Sequence, residues 1–293
     1  MLQLVLKTSR VTWVRFSALV FTCVAFSAVS YGGLITGGVA DWSIFCWAFS
    51  FAGTLLVLVV ELMGLQSRAT VSWIDFPGAF ACYALPFCLS ASIIFPLYFL
   101  KGEARQDEVR DHRIASSVSS CLATVAYFIE VSLTRAQLAE FATQYMVKVP
   151  GLVKVCETFV ASVIFVFVSD PVSYDSHWAL KWCMAVYCIC FMISAAIVVM
   201  CGAGCTGWMS FDRFLSFYSL LAAVMYLTAT IIWPVFNFDS RFSRSSSRPD
   251  YCRNSHGLCP WDKLVVVAVL TALNFLIYLT DLVYSVRMLL VRE

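Results

Sequence analysis

An all-α integral membrane fold, with eight transmembrane helices set as two four-helix repeats of like orientation, is what this sequence predicts. Three observations predict it. Hydrophobic residues make up 61% of the chain and charged residues 13%, against about 25% charged in ordinary soluble domains. The apolar residues are gathered into eight runs, each near the roughly 20 residues that a membrane-spanning helix needs. The first four runs also share short motifs with the last four.

The runs are Phe16–Ile35, Ile44–Leu65, Gly78–Leu100, Ile114–Thr134, Gly151–Val168, Ala179–Cys201, Phe214–Phe236 and Leu264–Val286. The first is followed by further apolar runs and has no small-residue cleavage pattern, so it reads as a span and not as a signal peptide. The third carries Pro86 and Pro96 and the seventh Pro234, which predicts kinks there. All nine Trp fall near the ends of these runs, as expected of indoles placed in the headgroup zone. Net charge is +2 and gives no basic patch for nucleic acid.

The repeat shows in matched pieces. Ala91-Ser-Ile-Ile-Phe-Pro96 in the third run answers Ala229-Thr-Ile-Ile-Trp-Pro234 in the seventh. Tyr127-Phe-Ile-Glu130 in the fourth answers Tyr278-Leu-Thr-Asp281 in the eighth, and Val14-Arg15 answers Val153-Lys154. The acidic motifs lie further apart than the Pro motifs, matching a longer loop before the eighth run. Four helices per unit give both units the same orientation, a parallel repeat. The expected organisation is a short N-terminus 1–15, a first unit 16–136, a linker 137–150, a second unit 151–288 and a C-terminal tail 289–293.

An even number of spans puts both ends of the chain on one side. Lys and Arg divide evenly between the sides, but Lys7, Arg10 and Arg15 precede the first span without an acid. That predicts cytoplasmic termini under the positive-inside rule.

Four acids fall within spans: Glu61, Glu130, Glu157 and Asp281. Each costs about 2.5–3.5 kcal/mol at a helix centre on insertion scales. They suit either a proton or cation site or structural ion pairs near the interface. Arg15, Arg135, Lys154 and Arg287 lie at similar depth, and Lys154 and Glu157 share a helix face by their spacing. The ion-pair reading is the favoured one.

Small residues recur every four positions at Ala84, Cys88 and Ser92, at Ser116, Ser120 and Thr124, and at Gly33 and Gly37. Such faces let helix backbones approach in lipid, inside a unit or between copies. Cys252 and Cys259 lie in the longest loop, 237–261, and are a candidate disulfide if that loop is extracellular. Cys201 and Cys205, at the cytoplasmic end of the sixth run, are candidate palmitoylation sites. His112, His177 and His256 fall in three loops without metal-ligand spacing. No nucleophile–base set, phosphate loop or cofactor motif is present, so no enzyme, metal or cofactor is expected.

Longer stretches carry a family resemblance. They are Phe21-Thr-Cys-Val-Ala-Phe-Ser27, Val60-Glu-Leu-Met-Gly-Leu-Gln66, Phe80-Ala-Cys-Tyr-Ala84, Cys88-Leu-Ser-Ala-Ser-Ile-Ile94, Val149-Pro-Gly-Leu-Val-Lys-Val-Cys-Glu-Thr-Phe-Val-Ala161, Ser169-Asp-Pro171, Trp261-Asp262 and Asp281-Leu-Val283. The chain resembles the myeloid-associated differentiation marker family, whose members carry two MARVEL domains. The N-terminus departs from it, being shorter than the Ser/Thr-rich tail that family members can carry. The resemblance implies two MARVEL-type four-helix units and a non-enzymatic protein that organises raft-like plasma-membrane domains. Roles in membrane traffic, cell spreading and junction or barrier organisation go with it. The implied partners are the bilayer, including cholesterol-rich lipid, and other membrane proteins or further copies of the chain, with no nucleic acid. Two other functions fit the residues: an ion or proton channel or transporter using the intramembrane acids, and a receptor or adhesion protein acting through loops 101–113 and 237–261.

Overall fold

The computed structural model describes residues 2–31, 38–65, 76–100, 108–138, 149–168, 174–175, 177–202, 211–239, 248–249, 252 and 259–292. Among these residues the chain forms eight α-helices. They are α1 (Leu2–Tyr31), α2 (Gly38–Leu62), α3 (Phe76–Phe99), α4 (Glu108–Leu138), α5 (Val149–Val168), α6 (Trp178–Gly202), α7 (Phe211–Phe238) and α8 (Pro260–Arg292). Each contains a stretch long and apolar enough to cross a bilayer, from 18 residues in α5 to 29 in α8. A helix rises 1.5 Å per residue, so about 20 residues cover the roughly 30 Å hydrocarbon core. The chain is a multi-pass integral membrane protein.

Helix ends follow local chemistry. Pro77, Pro150 and Pro260 sit in the first turns of α3, α5 and α8, where a missing N–H costs nothing. The His177 ring accepts from the Ala179 N–H through Nδ1 at 3.1 Å and caps α6. Gly64, at φ 67°, ends α2, a left-handed position that favours glycine. α3 continues through Pro86 and Pro96, and α7 through Pro234.

Three sequence expectations change. α1 begins at Leu2 and its apolar stretch at Arg10, ahead of the expected Phe16. Polar residues at a span's edge continue the helix because its ladder still satisfies their backbone groups. Arg15 thus lies inside the first span, while Gly32–Ile35 fall outside the described residues. α4 likewise begins at Glu108, so Glu108–Arg113 is helix and not loop. Glu108 and Asp111 in its first turn oppose the positive helix end. Arg113 then donates to the Phe99 carbonyl at 3.2 Å and closes the turn from α3.

The third change concerns tryptophan. Trp13 and Trp178 are well exposed, as headgroup anchors should be, but Trp47 and Trp233 are fully buried. Trp47 donates to Ser120 Oγ at 2.9 Å and Trp233 to the Leu264 carbonyl at 3.1 Å. Both turn into the helix packing, where a protein partner satisfies the indole N–H. Trp73 and Trp208 lie outside the described residues.

The chain divides into two compact units between Val147 and Lys148. In the first, consecutive helices pack and α1 closes against α4. In the second, consecutive helices pack and α5 closes against α8. One core cluster of the first unit sets Ala18, Ala84, Cys88, Ala123 and Ala126 around Tyr127. Its small side chains bring backbones close, the packing that holds helices together where lipid offers no hydrophobic drive. Gly53 of α2 takes this furthest, since a Cβ there would run into the Phe80 ring of α3. The core of the second unit is an aromatic column. Tyr278 stacks on Tyr226 with centroids 5.0 Å apart, Tyr226 meets Tyr187 at 5.9 Å, and Tyr187 meets Trp233 at 6.2 Å.

Candidate functional site: a buried ion cluster in each unit

In a membrane the outward face of each helix is apolar, so polar atoms turn inward and find partners there. Hydroxyls of the spans bond the carbonyl one turn back, as in Thr22 to Ala18 at 2.9 Å and Thr271 to Val267 at 2.7 Å. Others cross between helices. Thr54 and Tyr127 meet at 2.7 Å in the first unit, and Tyr187 and Thr271 at 2.8 Å in the second. The recurring small faces are used this way. Ser92 Oγ lies 2.9 Å from Ser120 Oγ and 3.1 Å from Thr124 Oγ1, so the α3 and α4 faces are spent on each other. Gly33 and Gly37 lie outside the described residues.

The intramembrane acids gather around one cation per unit. In the first unit, Arg15 of α1 donates through Nε to Glu130 of α4 at 2.6 Å and through Nη1 to Glu61 of α2. Arginine suits this place because its planar fork meets two carboxylates from different directions. Gly64 helps by stopping α2 just after Glu61, which leaves that side chain 20% exposed against 3% for Glu130.

In the second unit, Lys154 of α5 donates to Glu157 at 2.9 Å on its own helix and to Asp281 of α8 at 2.8 Å. Its Nζ also lies over the Tyr218 and Tyr278 rings, 4.8 and 5.5 Å from their centroids, contacts that favour a desolvated cation. Around the acids stand hydroxyls. Ser219 reaches Asp281, and Ser194 lies 3.2 Å from Glu157, 2.7 Å from Tyr218 and 3.0 Å from Tyr278. Side-chain exposure is 1% for Lys154 and 0% for both acids.

All four acids marked in the sequence are thus brought to a cation, and the Lys154–Glu157 spacing gives the contact it implies. Sequence reasoning missed the hydroxyl shell of Ser194, Tyr218 and Ser219. Its signal is faint, a polar residue at matching depth in each neighbouring span. Arg287 is exposed, and the Arg135 side chain lies outside the described residues. A buried cation held between two carboxylates ties together the helices that carry them.

The remaining candidates fall elsewhere. Cys252 and Cys259 are joined through their sulfurs, with Cα atoms 5.5 Å apart. Beside them Arg248 pairs with Asp262 at 2.8 Å. Cys201 is buried, and Cys205 lies outside the described residues. His112 packs edge-on against Tyr31, His177 caps α6, and His256 lies outside the described residues. No group of metal-holding side chains occurs among the described residues.

Comparison with known proteins places this architecture. The MARVEL model, described as a membrane-associating domain, matches residues 145–284, which is most of the second unit. No solved structure matches at a significant level. The myeloid-associated differentiation marker homolog of Xenopus laevis is 51% identical over 97% of this chain and 94% of its own length. The human myeloid-associated differentiation marker is 46% identical over 95% of this chain and 88% of its own length. The human myeloid-associated differentiation marker-like protein 2 is 38% identical over 96% and 92%. At this identity and coverage, the chain belongs to the myeloid-associated differentiation marker family of MARVEL-domain membrane proteins.

Proposed function

We propose that this protein is a non-enzymatic organiser of raft-like domains in the plasma membrane, with both termini in the cytoplasm. The observation that carries the reading is the division of polar and apolar groups. The intramembrane acids meet their cations inside each four-helix unit. The outward faces carry large apolar residues such as Phe16, Phe128, Phe217 and Leu276. Such a molecule acts on what touches its sides: lipid, cholesterol included, and the helices of other membrane proteins or further copies of itself. Supporting membrane traffic, cell spreading or junctions is the cellular expression of that activity.

Two features support the rest of the reading. The loop between α7 and α8 carries the Cys252–Cys259 bridge, which suits an oxidising exterior and so supports cytoplasmic ends for the chain. The two units match in packing order, and each sets a cation early in its first helix against an acid late in its last. This favours a parallel duplication, the first unit being a second MARVEL-type copy.

The test is reconstitution of the full chain into giant vesicles with coexisting cholesterol-rich ordered and disordered phases. Enrichment in one phase, or a shifted lipid demixing temperature, is expected. Uniform distribution with unchanged lipid demixing would sink the reading.

A further inference from the structure

The charges of the second unit's cluster do not cancel. Lys154 brings one positive charge, while Glu157 and Asp281 bring two negative ones if both are ionised. The other titratable groups near them among the described residues are Cys156 of α5, Cys190 and Cys201 of α6, Tyr218 of α7 and Tyr278 of α8. Thiols and phenols ordinarily carry no charge at neutral pH. Arg213 and Arg287, the nearest further cations on α7 and α8, occupy exposed positions. A surplus charge sealed from water is expensive. The first unit has the same count, but there Glu61 is 20% exposed and can be hydrated.

The hydroxyl protons point the same way. Tyr218 Oη donates to the Cys190 carbonyl at 2.8 Å. With that proton spent, its 2.7 Å contact with Ser194 Oγ needs Ser194 as donor. Tyr278, 3.0 Å from Ser194, fills the serine's acceptor side. Those three contacts use all three hydroxyl protons, so the Ser194 proton aimed at Glu157 Oε2 at 3.2 Å would have to be taken from one of them, and Glu157 Oε1, like Asp281 Oδ1, has no partner. Asp281 is better placed as the anion. Its Oδ2 receives Lys154 at 2.8 Å and also Ser219, which shares its proton with the Leu215 carbonyl.

We propose that Glu157 is a proton-binding site, holding one proton in the folded membrane protein and donating it to the Ser194–Tyr218–Tyr278 hydroxyl shell. The cluster is then neutral: ammonium, carboxylate and carboxylic acid. The proposal goes beyond membrane organisation and stands or falls apart from it.

The test is infrared difference spectroscopy of the full chain in lipid nanodiscs at neutral pH. The wild type minus Glu157→Gln difference should show one carboxylic-acid carbonyl band, and the Gln variant, a mimic of the protonated acid, should keep the wild-type melting temperature. Asp281→Asn should lose the band too, because Glu157 then ionises against Lys154. Lys154→Met should about double it, each acid taking a proton. A wild-type spectrum without a band that Glu157→Gln removes would overturn the proposal. So would a melting temperature that falls when sodium and potassium are replaced by a bulky organic cation, since a bound metal cation would then balance the charge.

Discussion

Arg15 links three helices through one guanidinium, and its loss strands two acids at once. Removing one partner of a buried ion pair typically costs about 3–5 kcal/mol. Arg15→Met should therefore lower the melting temperature of the purified protein sharply, and Arg15→Lys should recover part of the loss. Unchanged thermal unfolding of Arg15→Met would show the cluster to be incidental. Glu157 gives a prediction of opposite character. A proton held in the fold and released on unfolding means that the native state binds more protons. Raising pH then favours the unfolded state. Stability should fall as pH rises from about 4, where the glutamate of the unfolded chain ionises, until the folded acid also loses its proton, and that slope should flatten in Glu157→Gln, read as melting temperature against pH. At this scale the sequence is only half legible. It marked every acid and both cations, but Arg15 and Glu130 stand 115 positions apart, and no local pattern joins them. Ser194 and Tyr218 are unremarkable residues until three helices converge on Glu157.

The helices themselves were the readable part. A helix that crosses lipid needs a run of about 20 mostly apolar residues whose backbone groups bond within the segment, and such runs stand out in sequence. Their ends are less readable, because helix continues into polar sequence wherever a cap or a charge supports it. Glu108–Arg113 does so, and so does the stretch before Phe16. Trp47 and Trp233 misled for a related reason. A residue type that favours the interface also serves in a dry core once its N–H has a partner. The tightest helix contact rests on glycine. Gly53→Ala would drive a methyl into the Phe80 ring, and overpacking of this kind costs about 1–3 kcal/mol. Thermal melts should show the loss, and Phe80→Leu in the same chain should relieve most of it. If the double variant is no better than Gly53→Ala alone, the α2–α3 contact is not the cause.

For the molecule as a whole, the topology is the testable quantity. With the proposed cytoplasmic termini and a bridged outer loop, Cys252 and Cys259 should resist an impermeant maleimide on intact cells and accept it after reductant. Labelling without reductant would show free thiols, and labelling only after permeabilisation would reverse the orientation. The sequence motifs suggest a four-helix grouping, and the chain does divide into two compact units near its middle. The tyrosine column of the second unit was not legible, because Tyr187, Tyr226 and Tyr278 come from three separate helices.

The choice of cation also bears on how the polypeptide is made. A nascent chain emerges from its amino end. α5 can enter the bilayer already balanced, since until α8 brings Asp281 the Glu157 carboxyl, one turn along the same helix, can ionise against Lys154. α1 has no such companion, and Arg15 must wait for α2 to deliver Glu61. The first helical hairpin is therefore the earliest unit that the translocon can release without a stranded charge, whereas α8 completes a pairing that α5 has already begun.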